Sequence, residues 1–418
     1  MILDNISDNI TLLAEKAETK AQKAFARIDK IAFENQRRVL SAFAKYKVSA
    51  EDLHGTNGYG YGDRGRDKLE EVYAELFGAE SAYVRHSIVS GTHALSLGLF
   101  GLLRPGDVML SVTGKPYDTL DELVFGKTGN GTLADFGIEY KQVELIDGEK
   151  IDLEAVGASL DRSVKVVYVQ RSKGYMDRAT LSPKEIGQLV SYVKERSDAY
   201  VVVDNCYGLF CDLVEPTHFG ADLCIGSLIK NAGGGIARTG GYIVGTKKAV
   251  ELVSYRATSP GLGAECGSSL DENQFMYRGL FMAPHTVAQA VKTSVFAAAL
   301  FSEMGYEVSP SYDAERYDII QLIKLQSAEK LCAFCKGLQA ASPIDSFAEP
   351  VPDDMAGYSD KIIMAAGAFV MGSSIELSAD GPLKAPYNVY MQGGLTYESG
   401  KLGIIAAAEE VSRVKEGE

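Results

Sequence analysis

Apolar residues recur at intervals of three and four from about Asn9 to Ser49, among them Leu12, Leu13, Ala24, Phe25, Ile28, Ile31, Val39, Phe43 and Ala44. That spacing predicts a helix, and no Gly or Pro interrupts it. It reads as an N-terminal arm over residues 1–60, outside the main domain. Its apolar stripe must be covered by the chain itself or by a second subunit.

Beyond the arm the pattern shortens. Ser81–Arg85, Val108–Val112, Phe136–Val143, Lys165–Val169, Val201–Val203, Ala221–Ser227 and Gly240–Gly245 are short apolar runs of strand length. Helices are expected over Asp67–Gly78, from Ser90 onward, and over Pro183–Arg196 with Ser182 as N-cap. Alternation of strand and helix from Ser81 to about Val244 implies an α/β domain with a mostly parallel sheet and right-handed crossovers. We assign it residues 61–290. The texture changes after Pro284, where His285–Met304 reads as a long Ala-rich helix. Strands are expected at Ile319–Leu325, Ile362–Met371 and Ser374–Ser378, and helices at Ala328–Ala340 and Lys401–Lys415. This reads as a smaller α+β C-terminal domain, residues 291–418.

Composition narrows the function classes. A chain of 418 residues is long for one core, and 46% hydrophobic with 23% charged residues is ordinary for a soluble protein. Its net charge of −14 argues against nucleic acid as the partner. The apolar runs are too short to span a membrane, and Met-Ile-Leu-Asp-Asn has no basic segment before an apolar core, so no signal peptide is expected. Six scattered cysteines suit reduced thiols in a cytoplasm, Cys332-Ala-Phe-Cys335 lies in a helical pattern without a second pair, and no metal site is expected.

The candidate chemistry sits where strands end. Val201-Val-Val is a buried strand, and Asp204 follows its C-terminal end, where open α/β sheets bind ligands. Lys230 follows the next strand, three residues after Ser227, in a glycine-rich loop. Ser90-Gly91-Thr92 opens a helix, where free N–H groups and hydroxyls suit an anion. Tyr117 and Arg171 end two further strands. Tyr59, Tyr61, Arg64 and Arg66 lie in a glycine-rich loop that is either a surface loop or an anion-binding one. One cofactor needs this whole set, pyridoxal phosphate (PLP): amides and hydroxyls for its phosphate, an aromatic for its ring, a carboxylate for its pyridine nitrogen and an amine for its aldehyde. No Gly-x-Gly-x-x-Gly fingerprint follows Val84, which argues against a nucleotide-binding oxidoreductase.

Val-Val-Val-Asp-Asn-Cys-Tyr, then Phe-Gly-Ala-Asp-Leu and Ser-Leu-Ile-Lys-Asn, resemble the PLP-dependent fold type I enzymes. Within them the chain is most similar to the cystathionine/methionine lyase group, in particular the aluminium-resistance or methionine gamma-lyase-like proteins. Gly58-Tyr-Gly-Tyr, Gln170-Arg-Ser, Gly233-Gly-Gly, Thr239-Gly-Gly-Tyr and Tyr390-Met-Gln-Gly-Gly-Leu-Thr-Tyr-Glu extend the likeness over nearly the whole chain. The resemblance implies a large PLP-binding domain with helices on both sides of its sheet. It makes Lys230 the Schiff-base lysine and general acid–base, and pairs Asp204 with the pyridine nitrogen. Gly91, Thr92 and Ser227 hold the phosphate, with Ser90 beside them. Tyr61 and Arg66, with Tyr59, reach the phosphate of a neighbouring subunit. Tyr117 stacks on the ring and protonates the leaving sulfur, and Arg171 faces the phenolic oxygen. Ile229 stands where the usual lyase has Thr. Lys384, in Gly381-Pro-Leu-Lys-Ala-Pro-Tyr, and Arg238 are the candidates for the substrate carboxylate. The implied reaction is elimination of a thiol from methionine, cystathionine or cysteine by a homo-oligomer, a tetramer of two catalytic dimers. Another fold type I reaction, such as aldol cleavage or transamination, and a catalytically dead binding protein are the alternatives.

Overall fold

Val201, Val202 and Val203 are fully buried in a central strand. Burial of each β-branched side chain contributes about 1.5–3 kcal/mol, which favours a strand covered on both faces. The computed structural model describes residues 2–355 and 360–415. They fall into two compact units, one of Asn35–Gly174 and Arg178–Met282, the other of Met1–Glu34, Tyr175–Asp177 and Ala283–Glu418.

The first unit is built on β1 (Ser81–Arg85), β2 (Val108–Ser111), β3 (Glu139–Gln142), a small ladder of β4 (Leu145–Ile146) with β5 (Lys150–Ile151), β6 (Val164–Gln170), β7 (Tyr200–Asp204), β8 (Leu223–Ser227) and β9 (Gly241–Gly245). Seven strands form one sheet in the order β1-β9-β8-β7-β6-β2-β3. Only β9 among them runs against the rest. The expected mostly parallel α/β sheet is therefore present. The long expected strand over Phe136–Val143 is shorter, because a 3-10 turn and Gly137 at φ 70° occupy its start.

Its helices begin with α1 (Asp8–Lys45), which continues into this unit from the other, followed by α2 (Arg64–Phe77), α3 (Gly91–Leu102), α4 (Asp118–Phe125), α5 (Leu153–Ser159), α6 (Pro183–Lys194) and α7 (Lys247–Ala257). Leu95, Leu99 and Leu102 of α3 join Val250 and Val253 of α7 in one buried cluster with Met109, Val166, Val202 and Ile225 of the sheet. Gly98 permits that approach, since a Cβ there would lie 2.4 Å from Ile225 Cδ1. The stripe of α1 differs from the expected one. Ala24, Phe25, Ile28 and Val39 are buried as expected, but Leu12 is 65% exposed and Ile10, Ala14, Ala17 and Ala21 are buried in the first turns.

The chain then forms α8 (Asn273–Glu303), twelve residues ahead of the expected His285 start. Pro284 lies inside it and removes one helix bond. Met276, Leu280, Ala283, Val287 and Ala290 are buried at a spacing of three and four through the proline, so packing holds the helix together. The second unit adds β10 (Glu307–Ser309), β11 (Ile320–Lys324), α9 (Ala328–Ala340), β12 (Ile362–Ala365), β13 (Ser378–Pro382), β14 (Asn388–Gln392) and α10 (Tyr397–Arg413). Its strands form a five-stranded antiparallel sheet in the order β10-β11-β14-β13-β12. The strand expected over Ile362–Met371 ends at Ala365, and the one expected over Ser374–Ser378 begins only at Ser378, with a loop between them. Glu376 explains it: its carboxylate accepts the amides of Phe369 (2.8 Å) and Val370 (2.9 Å), which cannot then join a ladder. Among the described residues, no helix is long and apolar enough to cross a membrane.

Candidate active site

The ends of β6, β7 and β8 lie side by side, with Gln170 opposite Asp204 and Asp204 opposite Ile225. Parallel pairing of consecutive strands forces this, because their C-terminal ends then face one way. Asp204 is 4% exposed. Its Oδ1 accepts the Cys206 amide at 3.1 Å and its Oδ2 accepts the Tyr168 hydroxyl at 3.5 Å. Ser227 ends β8, and its hydroxyl accepts the Ile229 amide at 3.3 Å. Half-buried Lys230 follows, its Nζ 4.0 Å from the ring centroid of Tyr207.

Helix α3 brings its N-terminus to the same place. Ser90 caps it, accepting the His93 amide at 3.0 Å. A Cβ on Gly91 would lie 2.8 Å from Cys206 Sγ and 3.6 Å from Ser227 Cβ, so the bare first turn lies against both. Thr92 Oγ1 is 3.0 Å from the Tyr117 hydroxyl and 3.1 Å from Thr119 Oγ1. The Tyr117 amide donates to Gln170 Oε1 at 2.9 Å, which ties the start of α4 to the end of β6. Ser90, Gly91, Thr92, Tyr117, Asp204, Ser227 and Lys230 are thus brought together.

A sequence model described as methionine gamma-lyase matches residues 10–412. The chain belongs to the methionine gamma-lyase family. It is 50% identical over 387 residues to the uncharacterized YnbB of Bacillus subtilis, covering 92% of each chain. A solved structure of a carbon–sulfur lyase involved in aluminum resistance from Clostridium novyi NT is 49% identical, with a TM-score of 0.93 over 97% of this chain and 96% of that one. A Campylobacter jejuni chain solved with pyridoxyl-lysine phosphate shares the fold at 16% identity and a TM-score of 0.56, over 81% of this chain and 85% of that one. PLP is the cofactor of this family member.

The site of this methionine gamma-lyase relative fits that cofactor on two observations. Gly91 leaves the first turn of α3 without a side chain where an anion would meet its amides. Asp204 is a buried carboxylate that accepts the Cys206 amide, the Cys206 thiol and the Tyr168 hydroxyl, fewer donors than its four lone-pair directions take. Burial pushes the Asp204 carboxyl above its ordinary range, while the Lys230 ammonium pulls it back. Burial opposes the charge on Lys230, but Tyr207, Cys206 and Asp204 outweigh it and raise the amine. The Cys206 thiol is pushed up to about 12 by burial and then by Asp204. Burial and Asp204 also raise the Tyr117 hydroxyl.

The remaining expected residues lie in other surroundings. Arg171 is buried, its Nη1 bound to Asn205 Oδ1 (2.6 Å) and Glu215 Oε2 (3.1 Å), its Nε to the Leu181 carbonyl. Arg66 is buried as well; it donates to the Gly60 and Gly267 carbonyls (2.8 and 2.7 Å) and pairs with Asp67. Its guanidinium braces the loop of Tyr59 and Tyr61, whose exposed rings stack 5.5 Å apart. Arg238 is bound to Glu272 over the Phe275 ring. Lys384 is exposed, 3.6 Å from Asp360. Sequence reasoning missed Gln170, Thr119, Cys206 and Tyr207 as neighbours of the site. Gln170 carried a signal, since it ends a buried strand as Asp204 does.

Proposed function

We propose that the protein is a PLP-dependent carbon–sulfur lyase of the cytoplasm, acting on a sulfur amino acid such as methionine, cystathionine or cysteine. The products are a thiol, a 2-oxo acid and ammonia. One observation carries the reading: a buried carboxylate, Asp204, and an amine, Lys230, converge at neighbouring strand ends in a chain of this family. The C. novyi relative, described as a carbon–sulfur lyase, supports the reaction class. None of the six cysteines forms a disulfide among the described residues, in agreement with a reducing compartment.

PLP, when bound, supplies an electron sink for the charge left on carbon when a proton departs. Lys230 anchors its aldehyde and, once released, carries protons at the substrate's Cα and Cβ. Asp204 keeps the pyridine nitrogen protonated. Ser90, Gly91, Thr92 and Ser227 hold the phosphate. The Tyr117 hydroxyl, high in pKa and therefore protonated, delivers a proton to the sulfur as the C–S bond breaks with both electrons on sulfur. Water then replaces nitrogen on carbon and ammonia leaves. Arg171 enters as support for the Asn205 turn. Exposed Tyr59 and Tyr61, with Arg66 bracing them, are assigned to the phosphate of a second copy in a homo-oligomer. Lys384 and Arg238 are the candidates for the substrate carboxylate.

Incubation with methionine, cystathionine and cysteine should yield thiol, 2-oxo acid and ammonia in equal amounts from at least one of them. Borohydride should fix PLP to Lys230, read by peptide mass. Amino-group exchange with no thiol released from any substrate would overturn the lyase reading.

A further inference from the structure

Four residues, Asn205 to Gly208, follow Asp204 as a turn held from several directions. The Asn205 amide donates to the Ile225 carbonyl at 2.8 Å, and its own carbonyl accepts the Tyr242 hydroxyl at 2.9 Å. Its side chain bridges Arg171 (2.6 Å) and Glu215 (2.9 Å). Gly208 has no room for a side chain, since a Cβ would lie 2.1 Å from Arg171 Nη1. The turn is also tied to the lysine. Asn231, the residue after Lys230, donates its side-chain Nδ2 to the carbonyls of Tyr207 (2.8 Å) and Leu209 (3.0 Å). The backbone under the amine is thereby stapled to the backbone under the Tyr207 ring, and Lys230 Nζ stands 4.0 Å from that ring's centroid.

We infer that Tyr207 is a positioning residue that seats the Lys230 amine on its ring whenever the amine is not bonded to cofactor. An ammonium over an aromatic face is attracted by the ring quadrupole, most where water is excluded. The Tyr207 hydroxyl is also a hydrogen-bond partner of the amine, and Asp204, Cys206 and Tyr117 face it, of which Asp204 is the carboxylate. On Asp204 alone the amine would be drawn toward the carboxylate that the cofactor needs. The ring gives it a second seat, where it stays protonated. This inference rests on the proposed reading for its purpose, but not for its test.

The test uses the full-length protein freed of cofactor. The rate of Lys230 modification by trinitrobenzenesulfonate is followed across pH by peptide mass, in the parent, Tyr207→Phe and Tyr207→Leu. Loss of the ring should move the profile down by about one pH unit, raising modification at a fixed alkaline pH about tenfold. A shift in Tyr207→Leu alone assigns the hold to the ring face, and a shift in both assigns it to the hydroxyl. Should Tyr207→Leu fail to fold, pentafluorophenylalanine at position 207 keeps the ring shape, reverses its quadrupole and should give the same shift. Profiles superimposable on the parent's in every folded variant would overturn the inference. If PLP failed to attach to Lys230 while the shift was present, the lyase reading alone would fall.

Discussion

Two buried aspartates in one unit behave in opposite ways. Asp63 caps α2 and is 1% exposed, yet its carboxyl is held down to about 2. Burial alone would raise it, but Ser269, Thr56, the Arg66 amide and Asn273 all donate to it, the Thr56 hydroxyl at 2.6 Å. Asp204 is as deep, its donors are the Cys206 amide and thiol and the Tyr168 hydroxyl at 3.5 Å, and its carboxyl is pushed up. A buried carboxylate with its lone pairs filled stabilises a fold. One left partly unfilled is costly there and is held ready for a ligand.

The comparison can be broken in order of expected effect. Lys230→Ala should lower thiol release by about a thousandfold or more and abolish covalent cofactor, with the fold retained by circular dichroism. Residual borohydride-fixed PLP in that variant would detach the site from Lys230. Asp204→Asn should lower turnover by about a hundredfold or more, because the electron sink loses its counter-ion. The same variant should raise the melting temperature of the cofactor-free protein by the equivalent of about 1 kcal/mol at neutral pH. The sign follows from linkage: a carboxyl raised on folding destabilises the native state as pH climbs past its unfolded value of about 4, so the gain should vanish in acid.

Asp63→Asn should do the reverse, destabilising by about 2 kcal/mol at neutral pH in urea titrations. Because the Asp63 carboxyl is depressed on folding, its contribution is present above about pH 4 and is lost as pH falls toward about 2, where variant and parent should converge. A constant difference down to pH 2 would mean that shape, not charge, holds that cap. Tyr61→Ala is the mildest. Its ring is 56% exposed, so stability should stay within about 0.5 kcal/mol of the parent. Cofactor retention should fall about tenfold if its hydroxyl reaches the phosphate of a second copy. Unchanged retention would remove it from the site.

Much of this was legible in the residues. Val201-Val-Val-Asp announced a central strand with an acid at its end, and Ser90 announced a helix start; β7 and α3 stand there. Local misreadings came where distant groups intervened. Glu376 reaches back to Phe369 and Val370 and turns an apolar run into a loop. Continuous packing on either side of Pro284 overrides a helix breaker. For the site, Lys230, Asp204, Ser227 and Thr92 were nameable because their positions after strands or at a helix start are local facts. The surroundings of Arg171 and Arg66, namely Asn205 and Glu215 for the first and the Gly60 and Gly267 carbonyls for the second, could not be read in sequence because an arginine's partners need not be its neighbours in the chain.

Periodicity and strand-end chemistry, both written in neighbouring residues, determined the layered α/β plan and placed a carboxylate and an amine after two neighbouring strands. Tertiary structure alone decided which polar groups are filled and which are kept open. Asp63 meets Ser269 across 206 positions of chain and Asp204 meets Tyr168 across 36. Whether a buried charge becomes a brace or a reactive group depends on such distant donors, and no stretch of neighbouring residues contains them.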